Sequence, residues 1–259
     1  MTLRSFYDGA MFGDVTSGTM PVIVSLHGWG RNREDLSAAL SCLESASIAL
    51  DLPGFGMSPP PVTPWGAEQY AALVLEALDE HFETLAAPPD PSERQAVLLG
   101  HSFGGRVALC MAVARPDNIR GLVLTGVPFT RNPGSRPPRV FRLARRLHKA
   151  RIISNKTMEA ARHRYGSADY RSASGTMRAT MVKVVQETYE EKLSAVRCPV
   201  ALVWGEADQS TPLAMAERAS RQFEMLHSFD VIPGVGHDVP RQRPDLLRQR
   251  LAELCGGSE

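Results

Sequence analysis

A serine hydroxyl is a weak nucleophile, so it does chemistry only where the backbone presents it and a base can take its proton. The segment Gly100-His101-Ser102-Phe103-Gly104 offers such a setting. The apolar run Ala96-Val97-Leu98-Leu99 leads into it, and the helix-forming run Gly105-Arg106-Val107-Ala108-Leu109 leads out. A G-x-S-x-G pentapeptide between a buried strand and a helix holds its serine on a strained turn, with the hydroxyl clear of the backbone. Gly100 and Gly104 leave room where a Cβ would collide with neighbouring backbone. The helix start aims free N–H groups and the positive end of its dipole at the reacting centre. The chemistry implied is covalent, with Ser102 as nucleophile. It requires an imidazole base and a carboxylate to orient that base.

The elements that must position these groups alternate along the chain. Val22–Leu26, Ser47–Leu50, Ala96–Leu99, Leu122–Leu124, Val200–Trp204 and about Ser228–Ile232 read as strands. Helical patterns fall between them, at about Arg33–Leu43, Ala67–Phe82, Gly105–Ala114, Leu213–Gln222 and Pro244–Leu254. Strands alternating with helices of this length imply crossover units and a mostly parallel sheet covered on both faces. Asp8-Gly9 is a turn signal for an antiparallel hairpin within the first twenty residues.

Bulk properties fit an ordinary globular chain. Of 259 residues, 43% are apolar and 22% charged, and the formal net charge of +1 gives no general reason to expect nucleic acid binding. The four cysteines, Cys42, Cys110, Cys198 and Cys255, form no C-x-x-C pair, so neither a disulfide framework nor a zinc site is expected. The N-terminus lacks a signal-peptide apolar run, and no stretch approaches the ~18 apolar residues of a membrane span. The expectation is a cytoplasmic protein, with oligomeric state left open.

From Val22 to the C-terminal helix the chain resembles the α/β-hydrolase superfamily, on the strength of the Ser102 segment in its strand–helix context. The resemblance implies an α/β fold, a mostly parallel sheet with helices on both faces, and a triad in the chain order serine, acid, histidine. His27 and His101 precede the required position. His81, His148 and His163 fall on helix-like segments, and His227 begins an apolar strand. His237, in Pro233-Gly234-Val235-Gly236-His237-Asp238, follows the last strand on a Gly-rich loop, where the family places its base. Trp204-Gly205-Glu206-Ala207-Asp208 resembles the family's acid loop and gives Asp208, with Glu206 as the near competitor. The alternative acid position, Thr125-Gly126-Val127-Pro128-Phe129, carries no carboxylate. His27-Gly28-Trp29-Gly30 resembles the family's His-Gly oxyanion loop. It makes the backbone N–H of Trp29, with that of Phe103, the expected oxyanion donors, and leaves His27 as a brace for the loop. Asp51-Leu52-Pro53-Gly54-Phe55-Gly56-Met57-Ser58 is similar to a recurring structural segment.

The alternation breaks from about Phe129 to Leu193, where the pattern is helical or irregular. This divides the chain into a core at 1–128, a helical cap insertion at 129–193 and a second core segment at 194–259. Pro133-Gly134 and Pro137-Pro138 open the cap. Between Arg131 and Arg164 there are eleven Lys or Arg against one acid, Glu159. Val140, Leu143, Ala144 and Leu147 share one helix face, with Arg142, Arg145, Arg146 and Lys149 largely exposed. These cations suit an anionic substrate, an acidic partner or an anionic membrane surface, or form a solvated face. The polar stretch Tyr165-Gly166-Ser167-Ala168-Asp169-Tyr170-Arg171 is a candidate pocket roof.

The expected reaction is hydrolysis of an ester or related acyl compound through an acyl-enzyme on a small-molecule substrate, with no cofactor or metal. Ser102 attacks, His237 shuttles the proton, Asp208 orients His237, and Trp29 and Phe103 stabilise the oxyanion. The haloalkane dehalogenases and epoxide hydrolases of this fold carry aspartate where this chain has Ser102. Carbon–carbon bond hydrolases, cofactor-free haloperoxidase-like members, acyltransferases and non-catalytic binding proteins of the same fold remain alternatives.

Overall fold

The computed structural model describes residues 1–85, 89–90, 93–130, 139–165 and 168–256. Eight strands form one sheet: β1 (Thr2–Phe6), β2 (Met11–Thr16), β3 (Thr19–Leu26), β4 (Ser45–Asp51), β5 (Ala96–His101), β6 (Ile119–Thr125), β7 (Val200–Gly205) and β8 (Leu226–Ile232). Their spatial order is β1-β2-β4-β3-β5-β6-β7-β8. The β1–β2 and β2–β4 pairs are antiparallel, and every other pair is parallel. The hairpin turns at Tyr7–Ala10, where Phe6 pairs with Met11 and Gly9 takes a φ of 83°. This is the α/β-hydrolase architecture that the sequence implies.

Parallel strands joined by crossover helices are buried on both faces, so they read as continuous apolar runs. Every residue of β5 and β7 is buried. Their side chains alternate between two layers, as the strand period of two requires. Leu98 and Leu202 join one core with α2 (Ala67–Glu83) and α3 (Phe103–Ala114). Val97, Leu99 and Val203 join the other. That second layer is covered by α1 (Ser37–Leu40) and, at the end of the chain, by α11 (Pro244–Cys255).

The helix expected over Arg33–Leu43 is shorter than its pattern suggests. A 3-10 turn at Arg33–Leu36, capped by the Asn32 side chain, leads into α1 and stops at Leu40. Ser41 is extended and Cys42 has a φ of 63°, so the helix cannot continue. The Arg33 N–H and guanidinium both donate to the buried Asp51 carboxylate, which also accepts from the Met57 N–H. These bonds pin the Asp51–Ser58 segment and account for its structural role.

Between β6 and β7 the described residues hold five helices: α4 (Arg139–Lys149), α5 (Asn155–Tyr165), α6 (Ala168–Ser172), α7 (Gly175–Val184) and α8 (Glu190–Leu193). The expected turns at Pro133-Gly134 and Pro137-Pro138, the charges of Arg131 and Arg136, and Gly166-Ser167 lie outside the described residues. The apolar residues that share one face of α4 are only partly covered. Ala144 and Leu147 are half-buried beside Phe141 and His148, but Val140 is 62% and Leu143 56% exposed. Arg142, Arg145, Arg146 and Lys149 are exposed, as expected. After β7 come α9 (Leu213–Ser220) and, before α11, α10 (Val239–Gln242). Among the described residues no helix is long and apolar enough to cross a membrane.

The central strands carry the fold's stability. Leu98→Ala, at a fully buried position of β5, is expected to destabilise the protein by about 2–5 kcal/mol in urea unfolding.

Candidate active site

Ser102 stands between β5 and α3 with φ 50° and ψ −109°. A non-glycine residue there costs on the order of 1–3 kcal/mol and persists only when its surroundings impose it. Two backbone bonds do so. The Ser102 N–H donates to the Thr125 carbonyl at 2.9 Å, and the Gly104 N–H donates to the His27 carbonyl at 3.1 Å. The flanking glycines allow the close approach. A Cβ on Gly100 would meet the Gly105 Cα at 2.5 Å, and one on Gly104 would meet the Leu26 carbonyl oxygen at 2.0 Å.

The loops after β7 and β8 bring Asp208 and His237 together. The His237 Nδ1 lies 2.7 Å from the Asp208 Oδ2. Asp208 is buried, and its carboxylate also accepts from the Ser210 N–H, the Thr211 N–H and the Thr211 hydroxyl. Burial alone would raise its pKa. The bonds from His237 and Thr211 outweigh burial and hold the carboxyl below its ordinary value. Glu206, the competitor, is exposed and accepts from the Gly234 N–H instead.

Ser102 and His237 share the wall of a cavity of ≈ 590 Å³ with Trp29, Phe103, Met181 and Val184. Phe103 opens α3, so its N–H has no acceptor one turn back within the helix. The rings of Trp29 and Phe103 meet edge to face at 5.3 Å, and Phe55 and Tyr70 pack against them from within the core. The Leu52 N–H donates to the His27 Nε2, so the Nδ1 carries the hydrogen and donates to the Gly28 carbonyl. His27 braces the Gly28-Trp29 loop and is not among the residues of the described cavity wall. No α4 residue lies on the described wall, whereas Asp169 of the expected roof does. A separate cavity of ≈ 440 Å³ beside α2 and α3 contains no serine or histidine, and burial pushes its one thiol, Cys110, up to about 12.

Sequence reading missed four supporting residues. Gly126 has a φ of 59°, and a Cβ there would stand 2.9 Å from the His237 Cε1, so the imidazole depends on that open space. Thr211 completes the shell around Asp208. Asp35 and His101 are each buried and bonded to one another at 2.9 Å. The Gly28 N–H donates to Asp35, and the His101 Nε2 lies 3.2 Å from the His237 carbonyl oxygen. One buried pair therefore joins the Gly28 loop to the His237 loop. Arg31 closes the same link outside, pairing with Asp35 at 2.8 Å and Asp238 at 3.0 Å. Only Gly126 had a local signal, a glycine immediately after a strand.

Comparison with known proteins identifies the family. Residues 23–250 match the model of the Alpha/beta hydrolase family, so the chain belongs to that family. An uncharacterized hydrolase of Bacillus subtilis is 27% identical over 80% of this chain and 79% of its own length. A pimeloyl-[acyl-carrier protein] methyl ester esterase of Citrobacter koseri is 36% identical over 39% of this chain, which spans 34% of that enzyme. A thermophilic esterase from Thermogutta terrifontis has the same fold, with a TM-score of 0.70 at 22% identity over 98% of this chain and 97% of its own. A meta-cleavage product hydrolase from Pseudomonas fluorescens superposes with a TM-score of 0.67 at 17% identity, covering 99% and 98% of the two chains.

Two outcomes follow from the geometry. Gly126→Ala displaces the His237 ring and is expected to lower kcat at least about ten-fold on an ester substrate, with thermal stability measured in parallel. The second concerns acid stability. Burial opposes ionisation of Asp35, but His101, Arg31 and the Gly28 N–H reverse that, so its folded pKa, like that of Asp208, lies below the unfolded value. Their contribution is fully present above an unfolded pKa of about 3.9 and is lost as pH falls through the folded values. Melting temperature should therefore fall steeply below about pH 4, and less steeply in Asp208→Asn.

Proposed function

We propose that the protein is a carboxylic-ester hydrolase working through an acyl-enzyme. The reading rests on one observation: Ser102, on its strained turn, shares a cavity wall with His237, whose Nδ1 is bonded to the buried Asp208. With the Nδ1–H donated to Asp208, the His237 Nε2 is left as the proton acceptor. The Ser102 Oγ attacks the ester carbonyl as its proton passes to the Nε2. The tetrahedral intermediate then collapses, and the departing alcohol takes that proton. Water, deprotonated by His237, attacks the acyl carbon and releases the acid and the free serine. The N–H groups of Trp29 and Phe103 receive the developing oxyanion, each donor contributing about 2.7–4 kcal/mol in comparable sites.

The similar pimeloyl-[acyl-carrier protein] methyl ester esterase of Citrobacter koseri supports the same substrate class, and the thermophilic esterase shares the fold. The helices α4–α8 act as a cap over the carboxyl ends of the strands, within the insertion at 129–193. Met181 and Val184 of α7 then line the acyl side of the site.

A fluorophosphonate probe tests this. Labelling is expected at Ser102 by peptide mass spectrometry, absent in Ser102→Ala and strongly reduced in His237→Ala. Turnover of short p-nitrophenyl esters should fall by at least about 10³-fold in either variant. Labelling at another serine contradicts the assignment. Labelling at Ser102 without turnover of any ester favours a binding protein of this fold.

A further inference from the structure

The cavity beside Ser102 holds a buried cation that the proposed reaction does not use. Arg106 lies on α3 one helical turn beyond Ser102, about 6 Å along the axis, and is only 5% exposed. Its Nε donates to the Pro128 carbonyl at 2.9 Å, and its Nη1 donates to the Val184 carbonyl at 2.7 Å. The Tyr189 ring covers one face of the guanidinium, with the Arg106 Cζ 5.2 Å from the ring centroid. These contacts orient the group and tie α3 to the end of α7. They leave the Nη2 without a hydrogen bond, yet it is not among the polar atoms sealed from solvent. The residue lines the same cavity as Ser102 and His237.

No described carboxylate pairs with Arg106. Glu187 is the acid that acts on it electrostatically, but Glu187 accepts from the Tyr189 hydroxyl and from the Ala67 N–H. Asp169, the one acid on the described cavity wall, is exposed and forms no ion pair with Arg106. The other cation on that wall, Arg31, is held by Asp35 and Asp238. An arginine remains charged in proteins, and burying it without an anionic partner is strongly unfavourable. A buried guanidinium whose Nη2 is unused and open to the cavity matches a carboxylate, which accepts charge-assisted bonds from it. The exposed arginines of α4 do not reach the described wall, so the anionic-substrate expectation moves from them to Arg106.

We propose that Arg106 is a carboxylate-recognising residue of the substrate pocket, and that the preferred ester carries a carboxylate a few bonds from its scissile carbonyl. The proposal deepens the esterase reading and rests on it. The carboxylate belongs either to the acyl chain or to the alcohol, and kinetics separate the two. Wild-type kcat/KM is measured on monomethyl dicarboxylates of graded length against methyl alkanoates of equal length. A second arm compares acetate esters of hydroxycarboxylates with acetates of the matching alcohols. One arm should favour the charged ester by about ten-fold or more at its best length, chiefly through KM. Arg106→Met should bring that ratio to about one, and Arg106→Lys should retain part of it.

Because the readout is a ratio, a general loss of activity in the variant does not mimic the effect. Should Arg106→Met fail to fold, the wild type alone decides. Short dicarboxylates should slow fluorophosphonate labelling of Ser102 competitively, and diols of equal length should not. Absence of any preference for charged esters, equal protection by diacid and diol, or a preference that survives Arg106→Met overturns the subsite and leaves the esterase reading intact. Failure to hydrolyse any ester, neutral or charged, overturns both.

Discussion

Two backbone hydrogen bonds carry the site: the Ser102 N–H to the Thr125 carbonyl and the Gly104 N–H to the His27 carbonyl. The first ties the turn after β5 to the end of β6, and the second ties it to the end of β3. Together they hold Ser102 at a positive φ that an isolated peptide would leave. The close packing that makes them possible tolerates no side chain at Gly100 or Gly104. Everything else converges on this junction. The end of β3 supplies the Gly28-Trp29 loop, the end of β6 supplies the open space at Gly126, and the loops after β7 and β8 supply Asp208 and His237.

The junction is rigid because a buried polar network lies behind it. Asp35 and His101 are both shielded from solvent and bonded to one another, so each would be costly to leave unpaired. Their outward bonds reach the Gly28 loop on one side and the His237 backbone on the other. His101, adjacent to Ser102 in sequence, thus couples the serine turn to the loop that carries His237. Such a network preserves relative placement at the sub-ångström scale on which positioning effects depend.

Much of this was legible in the amino-acid order. The elbow is a local demand: only glycine fits at positions 100 and 104, so the motif is written in five consecutive residues. The central strands are legible because burial on both faces leaves unbroken runs such as Ala96–Leu99 and Val200–Trp204. Asp35 was not, because its neighbours Arg31, Asn32, Arg33 and Glu34 give it the look of a solvated segment. Its burial depends on His101, 66 residues away. The α4 helix shows the converse limit. Periodicity says which side chains share a face, but not which of them find a neighbour, so Val140 and Leu143 remain exposed while Ala144 and Leu147 are half-buried. Arg106 was hidden for a related reason: within Gly105-Arg106-Val107 it reads as an ordinary helix residue, and only the packing of Pro128, Val184 and Tyr189 around it shows a buried guanidinium.

The central claim, covalent attack by Ser102, is tested most directly by acid-quenching the enzyme during turnover of an activated ester and mapping the trapped adduct by mass spectrometry. The account predicts a single acyl group on the peptide containing Ser102, forming before steady state and disappearing as substrate is exhausted. Steady turnover with an acyl group on another residue would contradict it, as would turnover with no acyl group on any residue under conditions where deacylation is rate-limiting.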